Sequence, residues 1–194
     1  GDEAGTAITT GDYNTALGYF ALYTEDTASK STAVGTSALQ VQNAGTVDAY
    51  NTAVGFAAGA SVTTGTQNTF IGGLAGDALQ TGLGNVALGY TALGLEDASS
   101  ANTAIGHSAL ANQNAGTDAY NTAVGYNSGA AVTTGIQNTL IGGLGGDVLT
   151  DADYNVAVGM SALGADTKGN RSVAVGYSTL TAQNFTSSTD TYNT

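Results

Sequence analysis

The chain has 194 residues, 15 of them acidic and 3 basic, for a formal net charge of −12. Nucleic-acid binding and attachment to an anionic membrane both need clustered cations, which Lys30, Lys168 and Arg171 do not supply. There are 29 Gly and no Pro or Cys, which excludes disulfides and collagen. An apolar fraction of 42%, raised by Ala, points to a core of short side chains.

Read in chain order, the sequence is a repeat. GDEAGTAITTG (1–11) matches GFAAGASVTTG (55–65), so the chain opens inside a unit. The units that follow are anchored on Gly18, Gly35, Gly55, Gly72, Gly89, Gly106, Gly125, Gly142, Gly159 and Gly176, at intervals of 17 to 20 residues. The chain closes on TYNT (191–194), the start of another unit. This spacing predicts one repetitive segment over 1–194, beginning and ending mid-repeat and part of a longer molecule. No run approaches the roughly 20 apolar residues of a membrane span.

Before each anchor stand Leu17, Val34, Val54, Ile71, Leu88, Ile105, Val124, Ile141, Val158 and Val175. One position earlier the residue is Ala, with Phe70 and Leu140 as exceptions. Such alternation predicts a short strand at each anchor, with the aliphatic column as the structural core. Asn14, Asn51, Asn68, Asn85, Asn102, Asn121, Asn138 and Asn155 precede the strands, with Ser31 and Ser172 completing the column. They are expected to bond their own backbone at a corner. Four residues past the anchor, Leu22, Leu39, Leu93, Leu110, Leu163 and Leu180 alternate in pairs with Gly59, Gly76, Gly129 and Gly146. Three residues further on, the Leu units carry Glu25, Gln42, Glu96, Gln113, Asp166 and Gln183, and the Gly units Val62, Leu79, Val132 and Leu149. A bulky side chain that changes place while total volume is kept is what a packed interior requires.

Together these columns predict an all-β, parallel β-solenoid of about eleven coils. A recurring Gly and the lack of a sustained 3.6-residue period disfavour helices, and 17 residues are too few for a propeller blade. The near-identical stretches 49–79 and 119–149 lie 70 residues apart, a super-period of four coils with one enlarged coil in each. The enlarged stretches, 41–50, 113–120 and 183–192, are expected about 19 Å apart along one edge.

NTALG (14–18), STAVG (31–35), NTAVG (51–55), NTAIG (102–106), NTAVG (121–125), NVAVG (155–159) and SVAVG (172–176) resemble the head repeats of YadA-like trimeric autotransporter adhesins. Related repeats occur in bacteriophage tail fibres and virion appendages. The resemblance covers nearly the whole chain. It implies a left-handed β-roll, a side-by-side homotrimer adjoining other fibre proteins, and an extracellular role in host attachment, on a virion or on a bacterial surface. The coil is longer than in the bacterial repeats, and its strand is NTA[VLI]G in place of NSVAIG.

Candidate chemistry is sparse. GGLGGDVLT (142–150) fits a calcium-binding nonapeptide and GGLAGDALQ (72–80) nearly does, making Asp77 and Asp147 the candidate calcium ligands; solvent-facing turn acids are the competing reading. The Thr column from Thr15 to Thr139, interrupted by Val86, allows ice binding or a half-buried strand position. Tyr19, Phe56, Tyr90, His107, Tyr126, Met160 and Tyr177 form a stripe suited to sugar contact or to packing. No catalytic residue, cofactor site or metal site is assigned. The paired acids Glu25–Asp26 and Glu96–Asp97 are read as surface charge in preference to a glycan-cleaving pair. Selective contact is expected where the repeat is broken, at Tyr50, Thr117, Tyr120 and Tyr192, which would meet a host glycan or protein.

Overall fold

The computed structural model describes all 194 residues. Ten three-residue strands form one parallel sheet: β1 (Thr15–Leu17), β2 (Thr32–Val34), β3 (Thr52–Val54), β4 (Thr69–Ile71), β5 (Val86–Leu88), β6 (Thr103–Ile105), β7 (Thr122–Val124), β8 (Thr139–Ile141), β9 (Val156–Val158) and β11 (Val173–Val175). Their spatial order is their sequence order, so each strand begins a new turn of a parallel β-solenoid. The register never slips: Ala33 pairs with Ala53 and Ala157 with Ala174. β10 (Gly169–Asn170) and β12 (Thr189–Asp190) add a second parallel pair beside the third enlarged bend. Residues 1–10 follow the coil path without a strand, with the Gly5 amide donating to the Ala21 carbonyl at 2.9 Å.

Strand pairing is the smaller part of the stacking. Of 105 backbone hydrogen bonds, 19 lie within the strands, and many of the other 86 join the return path of one coil to that of the next. The bonds from Leu22 N to Ala38 O (3.1 Å) and from Leu39 N to Ala58 O (3.0 Å) are examples. Left-handed corners make this compact path possible, as at Thr91, Leu93 and Ala101 within one coil, with φ of 51°, 54° and 60°. At the anchor the coils nearly touch. A Cβ on Gly55 would stand 2.4 Å from the Gly72 carbonyl oxygen, so no larger residue fits there.

The core is the reverse of the arrangement expected from the strands. Ala33, Ala53, Ala87, Ala104, Ala123, Ala157 and Ala174 are the inward residues, all but fully buried, together with Phe70 and Leu140. The aliphatic column assigned to the core faces outward. Leu17, Val54, Ile71, Leu88, Ile141 and Val175 are exposed, and Val34, Ile105, Val124 and Val158 are half-buried. The reason is the width of the coil. Bulk enters from the return path as Leu22, Leu39, Leu93, Leu110 and Leu163, which pack in one cluster with the strand alanines. That leaves room for only a methyl group across from them.

The two exceptions in the Ala column now have a cause. A Cβ on Gly59 would lie 2.7 Å from Phe70 Cδ2, and one on Gly76 2.3 Å from Phe70 Cε1. Leu140 stands in the same relation to Gly129 and Gly146, at 2.7 and 2.8 Å. Each pair of Gly coils therefore receives from the strand between them the bulk missing at the Leu position, alongside the buried Val62 and Leu79, or Val132 and Leu149, further along the return path. Phe70→Ala is expected to cost about 3–5 kcal/mol, whereas Leu83→Ala, at a corner where the side chain is 52% exposed, should cost about 0.5 kcal/mol or less. Urea melting of the two variants checks the assignment, and equal losses would overturn it.

Candidate functional site

The asparagine column is a ladder. Asn51 Oδ1 accepts from the Asn68 amide at 2.9 Å, Asn68 Oδ1 from Asn85, and Asn85 Oδ1 from Asn102, each 17 residues on. Their Nδ2 groups donate to buried carbonyls, as from Asn51 to Gly65 (2.7 Å) and from Asn68 to Gly82 (2.9 Å). The side chains thus join neighbouring coils, where the sequence had suggested bonds to their own backbone.

Ser31 and Ser172 interrupt this ladder, and beside them, as beside Asn102, the interior carries acid–glutamine pairs. Glu25, Gln42, Glu96, Gln113 and Asp166 are fully buried, which corrects the reading of Glu25 and Glu96 as surface charge. Gln42 Nε2 donates to Glu25 Oε2 at 2.8 Å and to Ser31 Oγ at 2.9 Å, while Asn51 Nδ2 donates to Gln42 Oε1 at 2.8 Å. The other Glu25 oxygen accepts from the Ala28 amide at 2.8 Å. Gln113 with Glu96, and Gln183 with Asp166, repeat the pair. No buried side-chain polar atom is left without a partner, which is what makes burial of these acids tolerable. The signal was present in the sequence: each acid precedes its Gln by 17 residues, one coil, in the slot that Val or Leu fills elsewhere.

These clusters lie beneath the enlarged bends, which share a surface motif. Tyr50 OH donates to Asp48 Oδ2 at 3.2 Å, Tyr120 OH to Asp118 Oδ2 at 3.4 Å, and Tyr192 OH to Asp190 Oδ2 at 3.3 Å. All three Tyr are more than half exposed, and Thr117 is exposed beside Tyr120. In the first bend Lys30 Nζ lies 2.7 Å from Asp48 and 5.1 Å from the Tyr50 ring centroid. That ion pair holds the Asp48 carboxyl below the usual carboxylate range and the Lys30 ammonium above its usual value. In the third, Arg171 Nε lies 3.2 Å from Asp190, with its guanidinium over Tyr154 and Tyr192.

The opposite feature is the outward sheet face. Beside the aliphatic column runs the stripe of Tyr19, Phe56, Tyr90, Tyr126, Met160 and Tyr177, each 47% or more exposed. His107 sits between Tyr90 and Tyr126, with ring centroids 5.4 Å apart on each side. Most of the Thr column is half-buried on the same face.

Asp77 and Asp147, the candidate calcium ligands, stand four coils apart, and no group of three or more His, Cys, Asp or Glu gathers to hold a metal ion. Asp77 lines a shallow cleft of about 300 Å³ with Thr91, Leu95 and Asn112. Desolvation by burial raises both carboxyls above the ordinary aspartate value of 3.8. Because the folded state holds these protons more tightly than the unfolded chain, their contribution is full below that value and is lost as pH rises through the folded pKa. Asp77→Asn and Asp147→Asn are therefore expected to raise the melting temperature near pH 7 and to leave it unchanged near pH 3. A gain that persists in acid would assign the effect to something other than ionisation.

No helix is long and apolar enough to cross a membrane. Compared with protein-family models, curated proteins and solved structures, the chain finds no match.

Proposed function

We propose that this solenoid is a segment of an extracellular trimeric fibre serving in host attachment, carried on a bacteriophage virion. The observation that carries the reading is the outward aliphatic column with its aromatic stripe. A water-soluble rod gains nothing from an unbroken apolar band some ten coils, or about 48 Å, long. Patches of that extent mark contact surfaces. Three copies packed about an axis parallel to the rod would cover the band on every chain, in a closed symmetry that stops further growth. The number three comes from the resemblance of the NTAVG strings to trimeric adhesin repeats. The protruding Tyr, Phe and Met side chains disfavour the flat surface that ice binding needs. Spacing and display, without catalysis, suit a rod whose interior acids are locked in hydrogen bonds.

Sedimentation of the purified chain across micromolar concentrations is expected to give three times the 19.0 kDa chain mass. Leu88→Asp combined with Val124→Asp should yield monomers with an unchanged β spectrum, because both side chains point away from the core. A monomeric native chain would overturn the trimer. Antibodies raised to the chain should label projecting fibres on virions in electron micrographs. Labelling of a bacterial envelope instead would move the fibre to a cell surface.

A further inference from the structure

The three enlarged bends are built alike, and one is incomplete. At the corner preceding each bend the chain places Lys30, Ala101 and Arg171, all left-handed, with φ of 64°, 60° and 59°. Lys30 and Arg171 reach over to the Asp–Tyr pair of the next coil. Ala101 cannot, so Asp118 and Tyr120 keep the same mutual hydrogen bond with no cation on them. The surroundings are open as well. Gly84, Ala101, Asp118 and Tyr120 are all exposed, and a Cβ built on Gly84 would meet nothing within 4 Å.

We propose that the second bend is a receptor site for a lysine side chain presented by another protein. The molecule itself displays the ligand. In the first bend an ammonium lies 2.7 Å from the carboxylate, 3.1 Å from the phenol oxygen and 5.1 Å from the ring centroid. Asp118 and Tyr120 offer the same carboxylate, phenol and ring face. Lysine fits better than arginine because the ring that covers Arg171 from the far side, Tyr154, has Gly84 as its counterpart. The occupant must come from a different protein. The chain has only three Lys and Arg, and each is already in an ion pair, with Lys168 held by Asp151 at 3.3 Å. A net charge of −12 would steer a basic partner toward the rod. The inference rests on the reading of the enlarged bends as the fibre's contact elements.

The test uses the full chain with ¹³C-labelled tyrosine rings at low salt, titrated with the peptide acetyl-Gly-Lys-Gly-amide. The same peptide acetylated on the lysine side chain is the uncharged control. One exposed ion pair with a ring contact gives weak binding, on the order of 0.1 M, and the Tyr120 signals should move with the charged peptide alone. Tyr50 and Tyr192, already occupied, should stay still. Ala101→Lys should weaken the Tyr120 response about two- to fivefold, and Lys30→Ala should make Tyr50 respond as Tyr120 does. A silent Tyr120 would overturn the proposal. So would equal movement of all three tyrosines, which is the response of an acidic rod at large, or a Tyr50 that remains silent in Lys30→Ala. Failure here leaves the trimer mass and the fibre labelling intact, and failure of those leaves the ring shifts standing.

Discussion

The packing of the strands' inward alanines against leucines from the return path sets the width of the coil, and the rest of the structure follows from that width. A 17-residue turn drawn this tight cannot place bulk on both walls, so one wall is reduced to methyl groups. The larger side chains of the strand are thereby turned outward. Alanine contributes little apolar area, so the interior alone is a modest source of stability. Regular hydrogen bonding of the turns supplements it, and the outward aliphatics hold a second reservoir of apolar surface that only another body can cover. The thin core and the apolar exterior are one fact seen from two sides.

The same tightness explains the four-coil period. Two coils place a leucine four residues past the anchor, and in the other two that place is Gly, filled across the coil by Phe70 or Leu140 and supplemented by a Val or Leu three residues on. In the Leu coils the neighbouring inward slot receives an acid or a glutamine in place of Val or Leu, and the polar pair holds the root of the enlarged bend through backbone amides and Asn51 or Asn121. A buried acid without a cation is costly unless its oxygens are hydrogen-bonded, and here one oxygen accepts from amides of its own turn and the other from the Gln of the adjoining coil. The bends that break the repeat at the surface are therefore rooted where polar side chains replace the Val or Leu of the interior.

Much of the fold was legible in the sequence because spacing is a direct readout of coil length. The anchor glycines, the parallel register and the Leu–Gly exchange all follow from periodicity. Periodicity tells which residues share a face but not which face is inside. Size places Val54 inward ahead of Ala53, a reasonable rule for a wide core and the wrong one for a narrow coil. Glu25 and Glu96 mislead for a related reason, since an acidic residue is normally a sign of solvent. Their partners Gln42 and Gln113 become neighbours only when the coil closes. The bends were visible as insertions, while the difference among Lys30, Ala101 and Arg171 acquires meaning only once each is seen against the next coil's Asp and Tyr.

The asparagine ladder bears on how such a gene changes length. Each Asn hands its side-chain oxygen to the coil above, so a rod cut and rejoined must present an Asn or Ser in register at the seam. Loss of one coil would keep that register yet set Gly59 or Gly76 beside a strand lacking Phe70, leaving a void. Loss or gain of a whole four-coil block leaves every neighbour as it was. Unequal recombination between the near-identical stretches 49–79 and 119–149 would therefore yield viable rods that differ in steps of about 19 Å, a ruler graduated by its own interior.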